Sequence, residues 1–383
     1  MLPRVQSALL LFSLLIAGCG GLQLDRPLRP QPDDWPMFAG SAMRTNASDV
    51  TIAPPLTLDW SQDIGGGIGH GSPLIVDSIL LIGNLDGELH AIHCPTGKEI
   101  GSVSLGDAIN ASPLVSMSVA YVALSYSKET LIAYDLLDGK VRWRKMYGDI
   151  ETTPLLYEGK IYVANSWGSL LCIEPREGDL VWQFDLAGNR TMKGIRSSPA
   201  ADDGLVVFGA DDGAVYALDL QTGQQRWRTE TDAAVAAPPS IDDGTVYIGN
   251  LEGTLHALDL ESGEIKWTFD AGAPAFSNAL IVRGYAVFCT LGGSVLALHM
   301  SDGSLAWNTD VGSPMNSGPV AAGEYLYVGT LKKELCGLRI SDGEYVWKTE
   351  LSGRVKTAPA VAYRRLFVAT DDRTVLAFSG SGE

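Results

Sequence analysis

A repeated unit of about 40 residues, which recurs from Ser72 to the C-terminus, constrains the fold more than any other feature. In its clearest copy, residues 237–267, Pro239 precedes four short apolar segments that are separated by turns rich in Gly, Asp and Ser and end at Trp267. The segments are rich in β-branched and aromatic residues and show no helical period. Four short strands joined by tight turns are typical of one blade of a β-propeller.

The copies keep a common register along the chain. The opening proline recurs as Pro73, Pro113, Pro154, Pro199, Pro239, Pro319 and Pro359, with Ala279 in the remaining position. The last turn glycine is followed four residues later by Trp143, Trp182, Trp227, Trp267, Trp307 and Trp347, and the first copy instead has Gly101. The eighth copy ends before its fourth strand, whereas residues 56–60 lie ahead of the first copy and contain Trp60. We therefore predict an all-β, eight-bladed β-propeller of four-stranded antiparallel blades, with the ring closed by an N-terminal strand.

The third strand and last turn carry a family resemblance. The pattern Ala217-Leu218-Asp219, Thr222-Gly223 and Trp227 is similar to the tryptophan-docking repeat of the pyrroloquinoline-quinone (quinoprotein) propeller superfamily. Residues 34–40, DWPMFAG, also resemble the segment that precedes the ring in many members. The resemblance covers residues 34–379 and implies the propeller fold. It does not by itself choose a function, since the superfamily includes dehydrogenases, assembly factors and scaffolds.

The N-terminus indicates an exported protein. Residues 1–18 contain one basic residue, an apolar run and small residues, as a signal peptide does. The following Cys19 resembles the lipidated first residue of a bacterial lipoprotein. The resemblance implies a palmitate-bearing anchor in the outer membrane, facing the periplasm; the alternative is a plain secretory signal with an incidental cysteine. We expect residues 19–33 to form a lipidated, proline-rich tether and residues 34–383 to form the propeller.

Charge and reactive residues limit the classes of function. The formal net charge is −17 and no basic stripe is present, which argues against nucleic acid as a partner and leaves the lipid as the only membrane link. Neither the cysteines nor the histidines have metal-ligand spacing, so we predict no metal and no cofactor. A quinone-dependent dehydrogenase of the superfamily implies an adjacent cysteine pair and an oxygen-ligand Ca²⁺ site, and neither is evident here. We therefore predict that the chain is not an enzyme.

One variable position is a candidate binding ring. Three residues before each opening proline, or its Ala279 equivalent, stand His70, Asn110, Glu151, Arg196, Ala236, Phe276, Asn316 and Lys356. This position lies where the chain crosses from rim to axis, so its polar members predict a ring at the channel mouth, with a Glu151–Arg196 ion pair between neighbouring blades. The alternative is an ordinary water-filled mouth. The long connection 185–198 adds Arg190, Lys193 and Arg196 as a candidate partner contact.

A second resemblance narrows the function. The lipoprotein-like signal that ends at Cys19, the chain length and the blade count are similar to those of the BamB family, which are lipoprotein propellers of outer-membrane β-barrel assembly. Asp149-Ile150-Glu151-Thr152-Thr153-Pro154 resembles the Asp-x-Asp-Thr-Thr-Pro loop with which that family contacts its barrel partner, which implies partner-binding roles for Asp149 and Glu151. The family's other contact is a Leu-x-Leu-Arg run one blade earlier. The corresponding residues 103–106, Val-Ser-Leu-Gly, lack its arginine. We predict a scaffold that binds envelope proteins in barrel assembly; the alternative is a ligand-binding or sensory propeller without catalysis.

Overall fold

The computed structural model describes residues 21–187 and 194–380, and these ranges fold entirely into β-strands, turns and irregular segments. They contain no helix, and hence none with the length and apolarity needed to cross a membrane. The alternating turn chemistry of the repeats therefore produces the all-β fold that the sequence predicts.

The strands are short and evenly spaced along the chain. Two precede the first blade: β1 (Ala47–Ser48) and β2 (Leu56–Asp63). Blades 1 to 4 comprise β3 (Leu74–Val76), β4 (Ile79–Gly83), β5 (Glu88–His93), β6 (Glu99–Ser104), β7 (Leu114–Ser116), β8 (Val119–Ala123), β9 (Leu131–Asp135), β10 (Lys140–Lys145), β11 (Leu155–Tyr157), β12 (Lys160–Ala164), β13 (Ser169–Ile173), β14 (Leu180–Asp185), β15 (Ala200–Asp202), β16 (Leu205–Gly209), β17 (Ala214–Asp219) and β18 (Gln225–Glu230). Blades 5 to 8 comprise β19 (Ser240–Asp242), β20 (Thr245–Gly249), β21 (Thr254–Asp259), β22 (Ile265–Asp270), β23 (Leu280–Val282), β24 (Tyr285–Cys289), β25 (Ser294–His299), β26 (Leu305–Asp310), β27 (Val320–Ala322), β28 (Tyr325–Gly329), β29 (Glu334–Arg339), β30 (Tyr345–Glu350), β31 (Ala360–Ala362), β32 (Arg365–Ala369) and β33 (Thr374–Gly380).

Eight antiparallel sheets form the ring, which confirms the predicted fold. Seven blades each use four consecutive strands, and the eighth is completed by β2, which pairs antiparallel with β33 from Leu56↔Gly380 to Asp63↔Thr374. The N-terminal strand thus supplies the outer strand that the C-terminal repeat lacks and closes the ring. The short β1 adds to blade 7 by parallel pairing with its innermost strand, β27.

Strand direction alternates within a blade, and this separates the turns onto two faces. The blade-to-blade connections and the turns between second and third strands lie on one face, which we call the mouth face. The turns between first and second strands and between third and fourth strands lie on the opposite face, the far face. The candidate ring residues all belong to the mouth face.

Tryptophans join neighbouring blades at seven seams, and at the last of these Trp347 makes an edge contact with Phe378 of blade 8. At the other six the indole N–H donates, over 2.8–3.0 Å, to a carbonyl in the last turn of the next blade; the pairs are Trp60–Cys94, Trp143–Pro175, Trp182–Leu220, Trp227–Leu260, Trp267–Met300 and Trp307–Ile340. The indole ring lies against the turn glycine so closely that a β-carbon on Gly263 would lie 2.6 Å from the Trp227 ring. The interpretation of the tryptophans as inter-blade packing is confirmed. The outer strands, however, run three residues beyond the tryptophan, as β22 does after Trp267, so the expected strand end was too early.

The seam between blades 1 and 2 is built differently. Blade 1 has Gly101 at the tryptophan position, and residues 21–31, which we call the N-terminal strap, fill the space. Leu22 and Leu24 are 0% and 6% exposed, and the Leu24 N–H donates to Leu136 O over 2.6 Å. Residues 21–31 are therefore docked on the ring, whereas their proline content predicted an extended tether. Its leucines gain more by filling an apolar seam than the chain gains by remaining solvated.

A second N-terminal segment fills the central channel. Residues 35–48, which we call the channel plug, begin with mutual backbone hydrogen bonds between Trp35 and Ile75 of blade 1. Their carbonyls then accept hydrogen bonds from the innermost strands of blades 4 to 7, at Ala201, Ile241, Ile281 and Ala321. The plug uses the exposed inner edges of the blades as hydrogen-bond partners, so the channel is blocked and the mouth becomes a cup with a floor.

Arg44 anchors the plug, and none of the carboxylates in the described part of the chain forms an ion pair with it. Its side chain is fully buried, Nε donates to Pro199 O over 2.6 Å and Nη1 to Phe38 O over 3.3 Å. The guanidinium carbon lies 4.9 Å from the centre of the Phe38 ring, in a cation–π contact. Burial lowers the pKa of Arg44 to about 9, which still leaves it charged at neutral pH. The positive charge is held by backbone dipoles and an aromatic face.

We expect the tryptophan seam to dominate stability. Trp227→Ala should lower the free energy of unfolding by about 3–5 kcal/mol, because it removes a large buried side chain. Trp227→Phe should cost about 1–2 kcal/mol, because it chiefly leaves the Leu260 carbonyl without its donor. Urea unfolding measures both. The exposed Ile265→Ala should change stability by less than about 0.5 kcal/mol, and a Trp227→Ala effect no larger than this control would contradict the account.

Candidate functional site

The structure brings the eight ring positions together around one cavity. This cavity, which we call the cup, has a volume of about 490 Å³ and opens on the mouth face. Phe38 of the channel plug lines it, and the other lining residues include His70, Asn110, Glu151, Arg196, Ala236, Phe276, Asn316 and Lys356. The position three residues before each opening proline, which varies from blade to blade, therefore lies on the rim of the cup.

The two basic ring residues are paired with aspartates of their own blades, whereas Glu151 accepts a hydrogen bond from Tyr126 of blade 2. Arg196 Nη2 lies 2.7 Å from Asp211 Oδ1, and Lys356 Nζ lies 3.2 Å from Asp371 Oδ2. The predicted Glu151–Arg196 pair is therefore wrong. Each connection runs beside the second turn of the same blade, to which it is hydrogen-bonded through Asp211 N and Gly194 O, so an aspartate in that turn is closer than the neighbouring blade.

Apart from these two basic residues and Glu151, the residues that line the cup are uncharged at neutral pH, and several are apolar. The imidazole of His70 stands at the opening of the cup. Loss of solvent around it and then the nearby positive charge of Lys356 lower its pKa, so that the imidazole is neutral at pH 7. Ser277 Oγ and Thr357 Oγ1 are buried and have no hydrogen-bond partner within the described residues. With Phe38 and Phe276 also lining it, the cup can hold a small neutral group that combines apolar surface with polar atoms.

A more prominent feature lies beside the cup, on blades 2 and 3. The Asp149 carboxylate accepts a hydrogen bond from Tyr126 N over 2.8 Å, and Glu151 Oε1 accepts one from Tyr126 Oη over 2.9 Å. Tyr126 is nevertheless 79% exposed. The two acidic residues that the sequence singled out are thus both held by Tyr126, Asp149 through its backbone N–H and Glu151 through its side-chain hydroxyl.

Two further side chains extend this surface. Trp167 is 45% exposed, and a β-carbon on Gly148 would lie 3.1 Å from its ring, which places the indole directly beside Asp149. Met146, which follows the outer strand of blade 2, is 53% exposed. Tyr126, Met146, Asp149, Glu151 and Trp167 together form what we call the blade 2–3 patch.

Sequence reasoning missed Tyr126 and Trp167, although a signal was present. In blade 2 the second turn is closed by a hydrogen bond from Leu124 N to Thr130 O, whereas in blade 3 the equivalent bond runs from Asn165 N to Ser169 O. The blade 2 turn is therefore two residues longer, and it carries Tyr126 at its tip. The two-residue insertion is visible when the length of this turn is compared between the repeat copies.

Some predicted site residues lie outside the described residues. These are the lipid-attachment residue Cys19 and the basic residues Arg190 and Lys193 of the long connection. Of that cluster, Arg196 lies on the rim of the cup. The partner-binding prediction for Arg190 and Lys193 therefore stays a prediction.

The remaining cysteines are buried free thiols. Cys94, Cys172, Cys289 and Cys336 form no disulfide, and burial raises the pKa of each, to about 11 for Cys172. They are therefore protonated and poorly reactive at neutral pH. Among the residues that the structure describes, no group of three or more His, Cys, Asp or Glu side chains is placed to hold a metal ion.

Comparison with known proteins identifies the family. The family model described as outer membrane protein assembly factor BamB matches residues 57–198, 166–317 and 291–383, which overlap and together cover most of the chain. This chain belongs to the BamB family. BamB of Salmonella typhimurium is 29% identical over 236 residues, which are 56% of this chain and 60% of that protein. The chain spans between 57% and 61% of the length of four curated BamB relatives that it matches.

Solved structures share the fold. The crystal structure of BamB from Moraxella catarrhalis superposes with a TM-score of 0.72 at 20% identity and covers 85% of this chain and 99% of that one. Quinohemoprotein alcohol dehydrogenase from Comamonas testosteroni superposes with a TM-score of 0.74 at 16% identity and covers 92% of this chain and 81% of that one. At such identities both likenesses establish the propeller alone. The family assignment comes from the sequence match.

The geometry of the patch predicts a linked titration. The hydrogen bond to Glu151, followed by its charge, raises the pKa of Tyr126 above its ordinary 10.0. Glu151→Gln should therefore lower the Tyr126 pKa towards the ordinary value. NMR of ring-labelled tyrosine across a pH titration measures this change. Asp149→Asn is the matched control and should have a smaller effect, since Asp149 is the smallest contributor. An unchanged pKa in Glu151→Gln would contradict the geometry.

Proposed function

We propose that this protein is a non-catalytic scaffold in outer-membrane protein assembly, anchored by lipid on Cys19 and facing the periplasm. The blade 2–3 patch is its contact with an envelope protein partner, a component of the β-barrel assembly complex. Family membership supports the assembly role, because the matched family and relatives are described as outer membrane protein assembly factors. The exposed aromatic and acidic side chains of the patch are the reason for proposing this surface as the contact.

The chemistry of the patch suits protein recognition. Tyr and Trp supply large contact areas at small entropic cost and dominate binding hot spots. Tyr126 is already oriented by hydrogen bonds to Asp149 and Glu151, so less freedom is lost when it binds. Two aromatic faces beside two carboxylates favour a partner that presents arginine or lysine, through cation–π contacts and charge-assisted hydrogen bonds.

The position of the patch also fits a docking role. It stands on turns that connect rigid strands, and such turns can vary without disturbing the blade. The equivalent turns of blades 4 and 5 carry Asp211-Asp212 and Leu251-Glu252, which are not aromatic. The insertion and the aromatic side chains thus occur together on the blades that carry the family-like loop at residues 149–154.

A second candidate is the binding of a small neutral ligand in the cup. The buried hydroxyls of Ser277 and Thr357 favour it, because a polar ligand would give them the partners that the described residues do not provide. The two candidate surfaces are adjacent and share Glu151. Tyr126 and Trp167 belong to the patch alone and Ala236 to the cup alone, so variants of these residues can distinguish the two candidates.

Loss of the patch should release the partner. We expect the double variant Tyr126→Ala, Trp167→Ala to weaken capture of an outer-membrane β-barrel protein with periplasmic domains by about 10–100-fold, as removal of hot-spot aromatics does. Crosslinking of the membrane-anchored full chain, followed by mass spectrometry of the captured proteins, measures the loss.

Two controls make this outcome specific. The double variant Ile265→Ala, Leu305→Ala removes similarly exposed apolar side chains from blades 5 and 6 and should leave capture unchanged. Ala236→Phe narrows the cup and should also leave capture unchanged. Retention of the partner by the patch variant refutes the proposed surface, and its loss in Ala236→Phe alone transfers the role to the cup.

A further inference from the structure

The N-terminal strap copies the contacts of the missing tryptophan. In six seams an indole N–H donates to one repeat position, occupied for example by Leu220 and Leu260, and the equivalent position in blade 2 is Leu136. Leu136 O accepts its hydrogen bond from the Leu24 N–H. A β-carbon on Gly139 would lie 3.3 Å from Gln23 Cβ, where the other turn glycines meet an indole ring. The strap is therefore a structural part of the ring.

Further contacts extend the strap across the far face. Tyr134 Oη donates to Leu22 O over 2.7 Å, and Leu28 N donates to Ser118 Oγ over 2.9 Å. Arg26 forms an ion pair with Asp77, which also accepts from the Arg29 backbone N–H. Ser118 and Asp77 stand in turns between first and second strands, so the strap is fixed to two turns of the far face as well as to the seam.

We propose that the strap sets the orientation of the propeller on a lipid surface, with the far face of blades 1 and 2 against the membrane and the mouth face directed away from it. This rests on the proposed lipid anchoring at Cys19. Two residues, Gly20 and Gly21, separate Cys19 from Leu22, and an extended chain covers at most about 11 Å over these three residue steps. The anchor therefore enters the membrane beside the seam and does not end a long flexible tether.

The surface beside the strap fits a lipid boundary. The residue after the last turn glycine is Lys98 in blade 1 and Lys140 in blade 2, whereas in blades 3 to 7 it is Asp179, Gln224, Glu264, Ser304 and Glu344. Met117, next to Ser118, is 94% exposed. Asp25 and Asp138 also lie in this region, so the attraction to anionic headgroups is local and the lipid chain supplies most of the affinity.

The orientation has a functional consequence. Blade strands of five or six residues separate the two faces by about 17–20 Å. If the far face lies on the membrane, the blade 2–3 patch is held at roughly this height, directed towards the periplasm, where a soluble domain of a membrane protein can reach it. A flexible tether would instead present the patch in every direction.

Fluorescence quenching can test the orientation. A label on Met117→Cys reports the far face, and a label on the exposed Asp86→Cys reports the mouth face of blade 1. The four buried thiols react poorly with a label. The lipidated full chain is placed in vesicles of phosphatidylethanolamine and phosphatidylglycerol that carry a headgroup quencher. We expect several-fold stronger quenching at position 117 than at position 86, and equal quenching or the reverse order overturns the proposal.

A variant that displaces the strap tests whether the strap causes the orientation of the propeller. Gly101→Trp gives blade 1 the residue that the other seams use, so it should fill the seam, keep the ring folded and displace the strap. The quenching difference should then disappear while the protein stays in the membrane fraction. If the difference persists in Gly101→Trp, the strap does not orient the propeller.

Two additional outcomes complete the test. The double variant Leu22→Asp, Leu24→Asp releases the strap without replacing it and should also abolish the difference. A wild-type chain that never enters the membrane fraction refutes the lipid anchor, and with it the proposal. A chain that is anchored but shows equal quenching refutes the orientation alone, and the assembly role is then judged separately by partner capture.

Discussion

The whole ring depends on one contact, the packing of each blade's tryptophan against the turn glycine of the next blade. It combines a large buried aromatic surface with a satisfied indole N–H, and it needs a glycine because a β-carbon on Gly263 would overlap the Trp227 ring. Blades interact mainly with their neighbours, so each seam must be filled for the ring to close. The seam between blades 1 and 2 shows this requirement most clearly, because a different segment of the chain supplies the same contacts.

The N-terminal region thus has three structural roles in one stretch. The strap fills a seam, the channel plug closes the axis, and β2 completes blade 8. Because the plug occupies the channel, the surfaces that the mouth face offers to a partner are the cup and the loops around it. Surface recognition is then favoured over passage through the ring, and the exposed blade 2–3 patch is the part of this face best suited to it.

The fold was predictable from sequence because its determinants are local and repeated: proline before the inner strand, glycine in the last turn and tryptophan four residues later. The ring positions could be located for the same reason. The strap and the channel plug could not be predicted. The strap docks in a gap at Gly101 and the plug binds the inner strand edges, and both exist only after the ring has formed. The pairing of Arg196 with Asp211 likewise depends on side-chain proximity within a blade. The exposure of Trp167 is a tertiary property too.

Site-specific photocrosslinking tests the central claim most directly, namely that the mouth face of blades 2 and 3 contacts a partner in outer-membrane protein assembly. A photoreactive residue would replace Trp167 on the mouth face and, in a separate chain, Glu261 on the far face of blade 5, each in the lipidated full chain in cells. Our account predicts a crosslink from position 167 to an outer-membrane β-barrel protein with periplasmic domains and none from position 261. Crosslinking of that partner from position 261, with none from position 167, would contradict it.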